Sequence, residues 1–301
     1  MANARDIHRR IRAVDNTRQI TRAMELVART KLRRTQEQAV SARPYAEALV
    51  GLLRRVAGRG GDHRMSPFFD VRPVNRRLVM PISADRGLCG SYNSNVLRKA
   101  REVVGDDDPD HLRLAPVGRK GRDHFRYRGY DIYEEFINIG EEADLGLAHT
   151  LARMATYEFN AGRVDEVILV FTEFKSVFRQ VPRAFRLLPI DPSEALDDGE
   201  ATAREDRGVS SLYLYEPSPA VIFEELLPRF VVNSIFRALT ESKASEQASR
   251  VTAMKSATDN AGELIEELTR QYNRVRQAQI TREITEIAGG AEALAAARGE
   301  R

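Results

Sequence analysis

Apolar residues in the first 57 positions recur at intervals of three and four: Ile7, Ile11, Val14, then Ala28, Leu32, Ala39, Ala42, Ala46, Leu49, Leu53 and Val56. This spacing puts them on one seam of a helix of the kind that pairs with another helix in a coiled coil. The seam also passes through Arg18, Thr21 and Glu25, so its apolar character lapses for two turns while Ile20, Met24 and Val27 form an adjacent stripe. The first arm therefore predicts a coiled-coil partner with one irregular, more exposed section. The pattern returns from about Pro228 with Ile235, Leu239, Val251, Met254, Ala257, Ala261, Leu264, Leu268, Tyr272, Val275, Ile284, Ile287 and Leu294. Helix breakers agree with this division, because residues 1–57 hold only Gly51 and Pro44 and no proline follows Pro228. At 1.5 Å per residue the arms would run roughly 80 Å and 100 Å, too long for an ordinary globular core.

Between the arms the pattern alternates. Strand-like Leu78–Ser83, with Pro81 inside it, leads through a glycine loop to a helix reaching Val103. Leu112–Val117 precedes a helix rich in Arg and Phe. A β-branched and aromatic run, Asp131–Ile139, is followed by a helix ending near Gly162 and by the strongly β-prone run from Glu166 to Phe174. Alternation of this kind predicts an open, Rossmann-like α/β sheet. Ser193–Ser210, with Asp197, Asp198 and Glu200, reads as a solvated acidic loop. The expected organisation is an N-terminal helix over 1–57, a central α/β domain over 58–216 and a C-terminal helix over 217–301. A chain that enters a domain from one arm and leaves by the other folds the arms back together, since domain termini commonly lie close. The fold class is thus α/β, a long antiparallel coiled coil with an inserted open-sheet domain. The alternative is that each arm finds a different chain.

Composition narrows the function classes. With 42% hydrophobic and 30% charged residues in 301, the chain can bury a core. No apolar run approaches the roughly 20 residues a membrane helix needs, so no direct bilayer insertion is expected. The N-terminus has no apolar core of the secretory type, and a single cysteine, Cys89, excludes an internal disulfide and suits a reducing compartment. Charge is unevenly spread: 13 basic against five acidic residues over 1–57, but 23 against 27 over 58–216 and 11 against 12 over 217–301. The dense run Arg29-Thr-Lys-Leu-Arg-Arg34 fits a solvated face, an acidic protein partner or phosphate neutralisation on a nucleic acid.

Candidate chemistry is sparse. Asp85-Arg-Gly-Leu-Cys-Gly90 lies between a strand and a helix, where backbone N–H groups can hold a phosphate. Yet neither a Gly-Lys-Ser/Thr ending nor G-x-G-x-x-G is present, and a structural turn competes with the nucleotide site. Cys89, near Arg86 and a helix start, is either an activated thiol or a buried small side chain. His8, His63, His111, His124 and His149 have no metal-ligand spacing. On the second arm Arg276, Gln277, Thr281, Glu283 and Glu286 cluster on a helix otherwise destined for packing. They suggest a polar interaction surface ahead of a two-carboxylate metal or acid–base pair. No catalytic set, metal or cofactor is expected.

Three segments in order then resemble the gamma subunits of F-type ATP synthases: Ile11–Ala28 (IRAVDNTRQITRAMELVA), Ser83–Asn93 (SADRGLCGSYN), and Ala253–Ala261 with Tyr272–Leu294 (YNRVRQAQITREITEIAGGAEAL). The resemblance implies a central rotor shaft, without a catalytic site of its own, that couples transmembrane proton or sodium flow to ATP synthesis or hydrolysis on beta subunits. It implies as partners an alpha3-beta3 hexamer, an epsilon subunit and a membrane c-ring, no nucleic acid, and a peripheral place on the cytoplasmic face of a bacterial membrane. By the matching motifs, Thr21, Met24, Glu25 and Val27 would meet a mobile acidic loop of beta. Arg276, Gln277, Thr281, Glu283 and Glu286 would make the other rotor–stator contacts, and Tyr213 and Glu216 would face the membrane ring and epsilon. The loop Asp85–Gly90 would be the family's turn. An α/β nucleotide-binding enzyme and a coiled-coil nucleic-acid binder are the rivals.

Overall fold

In a computed structural model of the chain, residues 4–57, 66–105, 111–190, 216 and 218–299 are described, the side chains of 57, 219, 220 and 292–299 excepted. Two helices dominate, α1 (Ala4–Ala57) and α5 (Pro219–Gly299). Between them lie β1 (Arg77–Pro81), α2 (Tyr92–Val104), β2 (Leu112–Leu114), α3 (Arg119–Tyr127), α4 (Leu145–Asn160), β3 (Glu166–Ser176) and β4 (Arg179–Leu188). The chain forms two compact units, residues 28–252 and residues 1–27 with 253–301.

In the larger unit the sheet order is β2-β1-β3-β4, with β1 parallel to β2 and β3, and β4 antiparallel on the edge. Alternate residues serve opposite faces, as the period of two requires. Leu78, Met80, Val167, Leu169 and Phe171 join a core with α4, with Leu49, Leu53 and Val56 of α1, and with Phe223, Leu227, Val231 and Ile235 of α5. Val79 and Val170 instead pack with Val96 and Leu97 of α2 and Phe125 of α3. Burial on both faces explains the nearly continuous apolar run of β3.

Pro81 does not interrupt the first strand. It is the last residue of β1, in register with Val170, at a level where β2 has already ended. The Asp131–Ile139 run is not a strand but an extended path that touches the β2 edge through isolated bridges at Ile132 and Phe136. It departs there because β2 is only three residues long and Gly118, at φ +98°, turns the chain away. A Cβ on Gly118 would sit 2.2 Å from the Ser83 carbonyl oxygen, so only glycine fits this crossing. Strand β4 is unannounced in the sequence because Arg179, Arg183, Arg186 and Pro182 dilute its apolar pattern. An edge strand tolerates all four.

Both arms pass through a proline, Pro44 in α1 and Pro228 in α5. Each proline is exposed, as are Val40 and Glu224, whose carbonyls lose their helical donor. Helix α5 thus starts at Pro219, nine residues before its apolar periodicity becomes plain.

In the smaller unit the arms pair antiparallel: Thr21 bonds Thr258 and the ring of His8 lies 5.7 Å from that of Tyr272. In the larger unit Leu32 packs on Ala244 and Ala248 in the same sense. Of the predicted seam, Ile7, Thr21, Ala28, Leu32, Leu49, Leu53 and Val56 are buried on α1, and Ile235, Leu239, Val251, Met254, Ala261 and Leu268 on α5. Leu264, Ile284 and Ile287 are not, being exposed. At the observed register Ala4 stands level with residues near 276, so the last part of α5 has no α1 beside it.

Candidate functional site

The segment Ser83–Asn93 is tied to its own chain chiefly through the side chains of Ser83, Asp85 and Asn93. The Asp85 carboxylate accepts the backbone N–H groups of Arg119 (2.9 Å) and Asn138 (3.1 Å) on one oxygen and of Ile139 (2.8 Å) on the other. Ser83 Oγ accepts from Gly121 N–H at 2.8 Å and donates to the Val117 carbonyl at 3.1 Å. Asn93 accepts from Ala84 N–H through Oδ1 and donates to Cys89 Sγ through Nδ2, at 3.0 and 3.1 Å. Burial pushes the Cys89 thiol above its ordinary range, with Arg250 opposing the shift, so it stays protonated at neutral pH. Burial likewise holds the Tyr92 phenol well above its usual value. The Asp85 carboxylate is thus spent on fixing the backbone of two neighbouring segments. Of the two readings the sequence left open, these contacts support the structural turn. Its outer end rests on α5, where Ser249 Oγ donates to the Cys89 carbonyl at 2.7 Å and Arg250 to that of Gly87 at 3.4 Å.

The N-terminal candidates lie in the smaller unit, at the irregular section of α1. Thr21 is buried, its hydroxyl 2.8 Å from that of Thr258 and donating to the Arg18 carbonyl at 3.0 Å. Met24 and Glu25 are half-buried, and Val27 is 52% exposed beside Ile20 at 60% and Leu26 at 59%. A polar pair thus closes the helix interface here while apolar side chains face outward, the reverse of an ordinary coiled coil.

Arg276, Gln277, Thr281, Glu283 and Glu286 are all exposed on α5. Among them run Ile280, Ile284 and Ile287, also exposed, spaced by four and three on one face. The two candidate sets are not brought together. Thr258 beside Thr21 and Arg276 are 18 positions apart on one helix, roughly 27 Å along its axis. They form two bands on a rod rather than one pocket. Tyr213 lies outside the described residues, and Glu216 is exposed at a bend. Among the described residues no group of three or more His, Cys, Asp or Glu side chains could hold a metal ion, so Glu283 and Glu286 gain no third ligand there.

A family model described as ATP synthase matches residues 3–294. The chain is 47% identical over 295 residues to the ATP synthase gamma chain of Heliobacterium modesticaldum, covering 98% of this chain and 100% of that one. The chain belongs to the ATP synthase gamma family. Another gamma chain, described as sodium ion specific, from Acetobacterium woodii, is 42% identical, covering 97% of this chain and 99% of its own length. The fold agrees with a chain in the structure of the Euglena gracilis mitochondrial ATP synthase (OSCP/F1/c-ring, rotational state 3), with a TM-score of 0.65 over 98% of this chain and 95% of that one, at 21% identity.

What sequence reasoning missed is the stretch of α5 from Ser242 to Ala248, in which seven consecutive residues are buried, including Ser242, Lys243, Ser245, Glu246 and Gln247. Their polarity made them look solvated. The available signal was the gap in the apolar seam between Leu239 and Val251, where the helix is longest without a large apolar residue.

Proposed function

We propose that this chain is the rotating central shaft of an F-type ATP synthase, without a catalytic site of its own, transmitting ion-driven rotation to beta subunits that carry out the chemistry of ATP. The observation that carries this reading is the distal part of α5. It runs past the start of α1 with Ile280, Ile284 and Ile287 exposed on one face and Glu283 and Glu286 beside them. A bare helix with an apolar stripe is stable only inside a partner that covers it, and the alpha3-beta3 ring supplies an enclosing surface.

The division at 57/58 and 216/217 follows the same logic, with two helices as axle and the α/β part as foot on the c-ring beside epsilon. Thr21, Met24, Glu25 and Val27 form the lower contact band, facing an acidic loop of beta, and the excess of basic over acidic residues in 1–57 favours that partner. Arg276, Gln277, Thr281, Glu283 and Glu286 form the upper band. Tyr213 and Glu216 belong to the foot. The exposed stripe of Ile280, Ile284 and Ile287 lies on one face of α5, so a turning shaft presents a different surface to each beta subunit, and each site's open and closed states shift in population as that surface changes. No helix among the described residues is long and apolar enough to cross a membrane, and a peripheral position on the cytoplasmic side follows from the assembly.

Co-expression with the alpha and beta subunits of the same genome tests the reading. A particle of three alpha, three beta and one copy of this chain, with ATPase activity that depends on it, is expected. Failure to co-purify, together with tight binding of ATP or of DNA at physiological salt to the isolated chain, would favour the rival readings.

A further inference from the structure

Helix α5 between Ser242 and Arg250 is gripped from several sides by main-chain carbonyls. Lys243 Nζ donates to the Gly140 carbonyl at 2.7 Å, Ser245 Oγ to that of Thr172 at 3.0 Å, Ser249 Oγ to that of Cys89 at 2.7 Å and Arg250 to that of Gly87 at 3.4 Å. The acceptors come from the loop before α4, from strand β3 and from the loop before α2. Glu246 ties the donors together, 2.8 Å from Arg250 and 3.7 Å from Lys243, with all three side chains nearly buried. At 100° per residue, Ser245, Ser249, Glu246, Arg250 and Lys243 span roughly 160° of the helix circumference. Ala244 and Ala248 on the remaining side lie against Leu32 of α1.

Apolar packing resists separation but is indifferent to small rotations, whereas hydrogen bonds weaken steeply with angle and are costly to break when buried. Four directional bonds placed round one helix therefore fix its rotational phase. We propose that Lys243, Ser245, Ser249 and Arg250, linked by Glu246, form a key that locks α5 against rotation in the α/β unit and carries the twisting load between them. The proposal rests on the shaft reading and assigns these residues a positioning role. It also gives the Asp85–Gly90 loop its use: three backbone bonds to Asp85 hold the loop rigid so that its carbonyls can serve as the fixed side of the lock.

The test uses the assembled alpha3-beta3 complex with this chain, immobilised through beta, with a bead on the α/β unit and rotation halted between ATP-binding events. The combined variant Lys243→Met, Glu246→Met and Arg250→Met replaces a buried ionic cluster by apolar side chains of similar length, a change that often leaves stability unharmed. Its expected signature is melting within about 4 °C of the parent and a rise of about twofold in the angular variance of the halted bead, because the charge-assisted bonds that resist twisting are gone. Unchanged variance in an assembled variant overturns the proposal. Should the combined variant not assemble, Ser245→Ala with Ser249→Ala removes two of the four carbonyl bonds at almost no cost in volume, and unchanged variance there overturns it equally. A parent complex whose bead never turns under ATP overturns the shaft reading itself, and the key with it.

Discussion

Glu158 lies buried on α4, and its two carboxylate oxygens accept from Tyr133 Oη, Arg163 and Arg113. Burial alone would raise its pKa, but the bonds from Arg163 and Tyr133 and the charges of Arg113 and Arg163 outweigh it and bring the carboxyl below its ordinary 4.5. A folded-state pKa below the unfolded one means that the unfolded chain binds more protons, so the stabilisation is present above the ordinary carboxylate range and is lost as pH falls through the folded value. Glu158→Gln should therefore cost about 2 kcal/mol at neutral pH, and the gap from the parent should narrow in urea melts taken at successively lower pH. A gap independent of pH would contradict this. Nothing in the sequence marks Glu158, since it is one glutamate on an amphipathic helix and its partners come from β2, from the extended run after α3 and from the turn after α4. Gly118→Ala is a sharper case at the same scale, because the clash with the Ser83 carbonyl and the positive φ act together. A loss of at least about 2 kcal/mol is expected in urea unfolding. Met24, half-buried beside exposed Val27, lends itself to a functional test. Met24→Lys should leave the complex assembled but lower ion pumping per ATP hydrolysed, because an added ammonium would hold the acidic loop proposed as its partner too firmly at a surface that must slide. Unchanged pumping per ATP would rule that out.

Elements were legible in proportion to how far apolar periodicity decided them. The seam of α1, including its lapse at Thr21, is visible in the sequence because paired helices bury a fixed stripe, and the polar lapse is where Thr21 meets Thr258. Strand β3 was plain because both its faces are buried, whereas β4 was hidden because an edge strand can carry arginines and a proline. The buried stretch of α5 from Ser242 to Ala248 escaped because burial there is purchased with hydrogen bonds rather than apolar area. The sequence pattern suggested a polar interaction surface at Arg276–Glu286, but the partners proposed for it and for Thr21–Val27 come from resemblance to a known family, since exposed polar residues on a helix carry no signature of a partner. The end of α5 yields a prediction at this scale. Removing residues from Gln277 onward deletes a stretch whose described side chains are exposed, so the melting temperature of the isolated chain should stay within about 2 °C. The yield of complex with alpha and beta should fall. A lower melting temperature would show that the stretch packs on its own chain instead.

At the scale of the whole molecule, the distribution of charge, the antiparallel arms and the α/β unit all serve one claim, that this chain turns inside a ring of subunits. The excess of positive charge lies in residues 1–57, while the central and C-terminal segments are slightly acidic. The most direct test of the claim is to attach a probe to the α/β unit of this chain in a complex with surface-bound alpha and beta subunits and to watch it on addition of ATP. Rotation in one direction, with three dwells per turn set by the three beta sites, is the predicted result. A stoichiometric complex that hydrolyses ATP while the probe stays fixed would contradict it.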